Sequence, residues 1–246
     1  SIYAGGANGY GYVFRVTTTS VFSVVHDFTS SEGRPYAPLS QESGALYGST
    51  VGDSLGYGTL FKLTTTGGYT TLHGFTGSDG WSPSSSALVS GGDGALYGST
   101  GAGGALGEGA LFKITTSGAF TLLHSFDADL DGSEVKALAV GDAGILYGAA
   151  GTGDWASQRF WGSVFRIDAG GSFASLHRFT MPDGGSPADH LEVGGDGALY
   201  GVTGVGGSFG YGALVKITTS GAFTALHGFA GPDGRREMPV EDIMQA

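Results

Sequence analysis

Trp81, Trp155 and Trp161 are the side chains best suited to recognising a flat ligand, because an indole face stacks on sugar rings and other planar groups. To be weighed with them are Arg34, Arg159, Arg235 and Arg236, whose guanidinium forks match anionic groups, together with Tyr36, Glu134 and Lys136. Asp189, Glu237 and Glu241 could serve as general acid, general base or nucleophile. His190 follows Asp189 directly and is the one histidine outside a repeated set of five, which makes it the imidazole to join them. Rings and arginines to hold a substrate, with carboxylates to act on it, suit the hydrolysis of a glycoside or ester. Asp189, His190, Glu237, Glu241 and Asp242 also offer hard oxygen and imidazole ligands to a divalent cation such as calcium. Their spacing is not diagnostic of a metal, and no cofactor is required.

The chain that must position these residues has 246 amino acids. Glycine fills 49 positions, but apolar residues at 40% and aromatics at 12% are enough for a packed core. With 11 basic against 22 acidic side chains, the net charge of -11 would repel a nucleic-acid backbone. The absence of cysteine excludes disulfides, thiolate metal sites and thiol nucleophiles. No apolar run approaches the roughly 18 residues of a membrane span. The opening Ser1-Ile2-Tyr3-Ala4-Gly5-Gly6 has no basic and apolar leader, so the chain is read as a mature or cytosolic one. Gly101-Ala102-Gly103-Gly104 precedes no helix, which argues against a phosphate loop, and no Gly-x-Ser-x-Gly elbow supports a serine triad.

Repetition decides the scaffold. Leu-Tyr-Gly occurs at Leu46-Tyr47-Gly48, Leu96-Tyr97-Gly98, Leu146-Tyr147-Gly148 and Leu199-Tyr200-Gly201, with Ile2-Tyr3-Ala4 as a worn first copy. The tyrosines recur 44, 50, 50 and 53 residues apart. His26, His73, His124, His177 and His227 each precede an X-Phe pair, and an acidic-Gly turn follows at Glu32, Asp79, Asp131, Asp183 and Asp233. Each unit holds four short segments rich in β-branched and aromatic residues, bounded by turn residues. In one unit they fall near Ala87 to Ser90, Ala95 to Thr100, Ala110 to Thr115 and Phe120 to Phe126, termed strands A to D.

The expected fold is all-β: one domain over residues 1–246, a five-bladed β-propeller of four-stranded antiparallel blades. The chain opens on a B strand and ends on an A strand at Pro239 to Met244. That C-terminal strand should therefore pair with the N-terminal blade and close the ring, removing a free edge.

Residues found in every unit are expected to serve the scaffold. Arg15, Lys62, Lys113, Arg166 and Lys216 share one strand C position and read as solvated cations with packed stems. The acidic-Gly residues read as turn formers, with Asp93 and Asp196 serving the A-to-B hairpin. Phe120, Leu122, His124 and Phe126 should form one apolar row by period two, making the histidines half-buried and structural. The Leu-Tyr-Gly tyrosines read as core with a bonded hydroxyl. Outside the repeat, Arg34, Tyr36, Trp81, Glu134, Arg235, Arg236 and Glu237 follow D-to-A turns, and Trp155, Arg159 and Trp161 fill one B-to-C loop. Those two kinds of connection emerge on the same side of an up-and-down blade. One asymmetric pocket is expected there, with Lys136, Asp189 and Glu241 near the axis.

Leu-Tyr-Gly-Ser-Thr, then Gly-x-Leu-Phe-Lys-Ile-Thr-Thr-x-Gly, then Leu-His-x-Phe and Asp-Gly resemble the GloVer tandem repeat of secreted or surface-anchored bacterial proteins, over nearly the whole chain. The resemblance implies an extracytoplasmic propeller and carries no catalytic residues.

The residues therefore point to a hydrolase acting on a glycan or related glycoside or ester. The alternatives are a non-catalytic carbohydrate-binding or adhesion module, and a metal-dependent phosphoester or lactone hydrolase. The expected partner is a small molecule or glycan, with no nucleic acid and no membrane span, and the chain is expected to be a monomer.

Overall fold

Glycine- and threonine-rich turns alternate along the chain with segments of four to eight β-formers, and the computed structural model folds these segments into antiparallel sheets. It describes residues 1–83, 87–151 and 161–231, without the side chains of Ala143, Ala188 and Asp189. The expected C-terminal strand and most of the long loop holding Trp155 lie outside these residues. Two compact units divide the chain, Ser1–Ser125 and Phe126–Ala246.

The first unit carries β1 (Tyr12–Val16), β2 (Phe22–Asp27), β3 (Arg34–Pro35), β4 (Ser40–Glu42), β5 (Ala45–Val51), β6 (Thr59–Thr64), β7 (Tyr69–Gly74), β8 (Trp81–Pro83), β9 (Val89–Ser90), β10 (Ala95–Ala102), β11 (Ala110–Thr115) and β12 (Phe120–Ser125). Its sheets run β1-β2, then β3-β5-β6-β7 with β4 also on β5, then β8-β10-β11-β12 with β9 also on β10. The second unit carries β13 (Ser133–Val140), β14 (Leu146–Gly151), β15 (Ser163–Ile167), β16 (Phe173–Arg178), β17 (Gly185–Val193), β18 (Leu199–Val205), β19 (Ala213–Ile217) and β20 (Phe223–Gly228). These form the sheets β13-β14-β15-β16 and β17-β18-β19-β20. A 3₁₀ turn at Asp142–Gly144 is the one helical element among the described residues, where no helix is long and apolar enough to cross a membrane.

Each sheet thus corresponds to one sequence repeat, with the B and C strands central. In the first repeat, strand B is reduced to a bridge in which Ile2 and Tyr12 exchange backbone bonds of 2.9 and 3.0 Å. Strand A differs from expectation in the next two repeats. It is split into β3 and β4, and into β8 and β9, so Arg34 and Trp81 lie on short strands instead of in loops.

Packing explains the Leu-Tyr-Gly motif. A Cβ on Gly98 would sit 2.6 Å from both Leu88 Cδ2 and Phe112 Cζ, so only glycine lets strands A and C close over strand B. Cores form on this plan around Leu60, Phe75, Leu96 and Phe112, and around Phe28, Phe61 and Leu63, in the first unit. Val164, Phe179, Leu199 and Val215 do the same in the second.

A β-bulge interrupts every C-D pair beside the repeated histidine, for example between Leu111, opposite His124, and Phe112, opposite Leu122. A bulge adds one residue and re-aims the side chains beyond it. The expected continuous row is therefore broken, and Leu122 is 39% exposed. Val25, Leu72 and Leu176, each immediately before a histidine, pack on the core instead.

Candidate functional site

Two repeated constellations belong to the scaffold. The carboxylates read as turn formers have a second role: His73 Nε2 meets Asp79 Oδ2 at 2.9 Å, and His177 Nε2 meets Asp183 Oδ2 at 3.0 Å. His26 Nε2 lies 3.3 Å from Glu32 Oε1, an ion-pair distance without hydrogen-bond geometry. The other Asp79 oxygen accepts bonds from the Thr76 amide and hydroxyl. Burial pushes the Asp79 pKa up, but these hydrogen bonds outweigh it and hold the carboxyl below the ordinary range.

The strand C cations are also more than solvated stems. Lys113 Nζ reaches Asp93 Oδ2 at 2.6 Å, and Tyr97 donates to the same oxygen at 2.9 Å. Lys216, Tyr200 and Asp196 repeat the arrangement. The Lys216 bond, followed by those of the Ala198 amide and Tyr200, holds Asp196 down at about 2. Where Ser43 replaces the aspartate, the buried Tyr47 hydroxyl has no partner, and Lys62 lies 5.8 Å over the Tyr47 ring.

What varies from repeat to repeat lies where strand A begins against the preceding B-to-C loop. Pro35, Pro83, Val135 and Pro187 hold equivalent places, opposite Thr50, Thr100, Ala150 and Thr203. Before the last three stands an inserted left-handed residue, Ser82, Glu134 or Ser186, with φ of 52, 46 and 50°. Its amide can cross-link to the loop: Ser82 donates to Tyr57 O at 3.0 Å and Ser186 to Trp161 O at 2.8 Å. Those carbonyls belong to an aromatic that precedes a glycine of positive φ, seen at Tyr10, Tyr57, Trp161 and Tyr211, with Glu108 in the remaining repeat. Trp161 therefore occupies a repeat position, although the sequence alone set it apart.

At the first junction the Arg34 guanidinium lies 5.1 Å from the Tyr10 ring and 5.4 Å from Tyr3. Tyr36 meets Tyr3 edge-on at 6.2 Å. Tyr3 is 50% and Tyr36 47% exposed, so the cluster faces solvent. The next junction places Trp81, itself 50% exposed, edge-on to Tyr57 at 6.3 Å. At the fourth, before Pro187, Trp161 packs on the core, and a Cβ on Gly185 would lie 2.8 Å from Trp161 Cβ, so the indole fills the room left by that glycine.

Of the expected site residues, the structure thus groups Arg34 with Tyr36 and adds Tyr3, Tyr10 and Tyr57. Tyr10 and Tyr57 were legible as aromatic-Gly pairs at a fixed offset. Lys136 Nζ pairs with Glu134 Oε2 at 2.8 Å, both on bulges of β13, so each charge is already partnered. His190 is exposed, within the stretch of β17 where the register shifts. Trp155, Arg159, Arg235, Arg236, Glu237, Glu241 and Asp242 lie outside the described residues, as does the Asp189 side chain. Among the described residues no group of three or more histidines and carboxylates is arranged to hold a metal ion.

A chain of sheets built one per repeat, with the variable residues at the junctions, defines a repeat protein of all-β class. The model of the Gloeobacter/Verrucomicrobia repeat matches residues 1–158, and the chain belongs to that family. No curated protein matches the sequence. Among solved structures, a Mycobacterium tuberculosis puromycin-hydrolyzing peptidase is similar with a TM-score of 0.51 and 15% identity, over 79% of this chain and 29% of that one. This chain spans less than a third of the peptidase, and at that identity the likeness is one of fold. A Xanthomonas campestris gluconolactonase gives a TM-score of 0.48 at 14% identity, covering 89% of this chain and 69% of that one. Sucrose-6-phosphate hydrolase from Lactobacillus gasseri gives 0.42 at 14%, covering 80% and 49%.

Proposed function

We propose that the chain is an extracytoplasmic five-bladed propeller that binds a glycan along the edge where strand A begins. The exposed cluster of Arg34 with Tyr3, Tyr10 and Tyr36 carries this reading. Rings and a guanidinium held open to solvent offer stacking faces and hydrogen-bond donors, the two things a pyranose needs. Ring closure by residues 239–246 beside residues 2–6 belongs to the same proposal. Deleting those residues then lowers the melting temperature of the whole chain, and an unchanged transition refutes closure.

Hydrolysis at this edge is the second reading, favoured by the sequence because Glu237, Asp189, His190 and Glu241 follow no repeat position. A phosphoester or lactone hydrolase with calcium held by Asp189, His190, Glu237, Glu241 and Asp242 is its metal-dependent form. Binding to a panel of soluble polysaccharides tests the first reading, with Tyr36→Ala and Trp81→Ala expected to weaken it. Release of reducing ends or ester cleavage, with and without chelator, tests the second: turnover that Glu237→Gln and Asp189→Asn abolish would establish an enzyme. Binding without turnover leaves a carbohydrate-binding module.

A further inference from the structure

The first two junctions of the Ser1–Ser125 unit are aligned at Pro35 and Pro83, opposite Thr50 and Thr100, but differ in chemistry. Arg34 and Trp81 each begin strand A against the aromatic of the preceding loop, Tyr10 and Tyr57 respectively. Tyr57 and Trp81 present two half-exposed ring systems and no charge. The Arg34 guanidinium carbon lies close to the rings of both Tyr10 and Tyr3, and its planar fork carries five N–H donors. No carboxylate among the described residues pairs with Arg34, whereas Lys113, Lys136 and Lys216 all have one.

A planar cation held against two rings, with no carboxylate of the described residues on its donors, is preorganised for a bidentate carboxylate. The net charge of -11 opposes a polyanion, but at physiological ionic strength fields are screened over about 8 Å, so one local carboxylate is accepted where a dense row is not. Resting on the glycan-binding reading, we infer that the ligand is a sparsely acidic glycan. The Arg34 junction takes the carboxylate of an isolated uronic acid, and the Tyr57–Trp81 junction stacks a neutral sugar ring.

The test is calorimetric titration of the full chain at physiological salt with xylo-oligosaccharides bearing one glucuronate, and with the same oligosaccharides after carboxyl reduction. The acidic form should bind about tenfold to a hundredfold more tightly, the range of a charged hydrogen-bonded contact. Arg34→Gln should erase that difference and Arg34→Lys restore part of it, with melting temperature confirming the fold. Trp81→Ala should weaken both forms by the same factor. Equal affinity of both forms for the parent chain overturns the uronate assignment and leaves glycan binding standing. No binding of either form, together with none in the polysaccharide panel, overturns both.

Discussion

The imidazole of His73 lies flat on the ring of Phe120, centroids 3.7 Å apart and planes 6° apart, although the two residues stand on the D strands of consecutive repeats. His26 on Tyr69 and His177 on Phe223 repeat the stack, at 4.7 and 4.3 Å. Each histidine is thus a staple: Nε2 faces its own turn carboxylate and the ring face holds the next repeat. In a double-mutant cycle, His73→Ala and Phe120→Ala should show a coupling of about 0.5–1.5 kcal/mol. A coupling indistinguishable from zero would mean that the stack contributes nothing between repeats.

Asp79→Asn keeps the shape of the turn but loses the charge that His73 and Thr76 meet. It should cost about 1–2 kcal/mol, a melting-temperature drop of roughly 2–8 °C for a chain of this size. His73→Asn in the Asp79→Asn background should then cost less than it does alone.

Acid should test the lysine-tyrosine-aspartate clamps. Asp196 is held down at about 2 and Asp93 below its ordinary range, each by its lysine first. A carboxylate whose folded pKa lies below the unfolded one stabilises above the unfolded value, near 4, and loses that contribution as pH falls through the folded value. Stability measured by urea unfolding should decline between about pH 4 and pH 2 in the parent. In Asp93→Asn with Asp196→Asn the slope over that window should be shallower, and an unchanged slope would remove these two groups from the acid response.

Two glycines separate backbone strain from crowding. Gly92 has φ of 72° with nothing near its Cβ position, so Gly92→Ala should cost only the left-handed backbone, about 1–2 kcal/mol. Gly162 has φ of 98°, and a Cβ there would lie 2.6 Å from Ala150 O and from Pro187 Cδ. Gly162→Ala should add overpacking of about 1–3 kcal/mol. Similar melting temperatures for the two variants would show that the Trp161 junction yields easily.

The inserted residue Ser186 pairs a φ of 50° with an amide that bonds Trp161 O at 2.8 Å. Ser186→Gly should be close to neutral, since glycine accepts the conformation and keeps the donor. Ser186→Pro removes both and should cost about 3 kcal/mol. Trp161→Ala should likewise lower stability by about 3–5 kcal/mol while leaving glycan affinity intact, because this indole packs on the core. A Trp161→Ala chain of parental stability with weakened binding would return Trp161 to the binding edge.

Repetition made most of this scaffold legible. Five copies of Tyr, His and acidic-Gly at near-constant spacing imply one sheet per repeat, because period-two alternation and tight turns are local properties of the chain. The B, C and D strands near Ala95, Ala110 and Phe120 follow from that, as do the bonded hydroxyls of Tyr97 and Tyr200. The bulge that turns Leu122 outward was not legible, since it depends on how strand D registers against strand C. Nor was the contact of Arg34 with Tyr3 and Tyr10, more than twenty residues earlier, or the pairing of Lys136 with Glu134, which two bulges bring together. Spacing along the chain determines which residues recur; only the packed sheets, where register and bulges set side-chain direction, decide which of them meet.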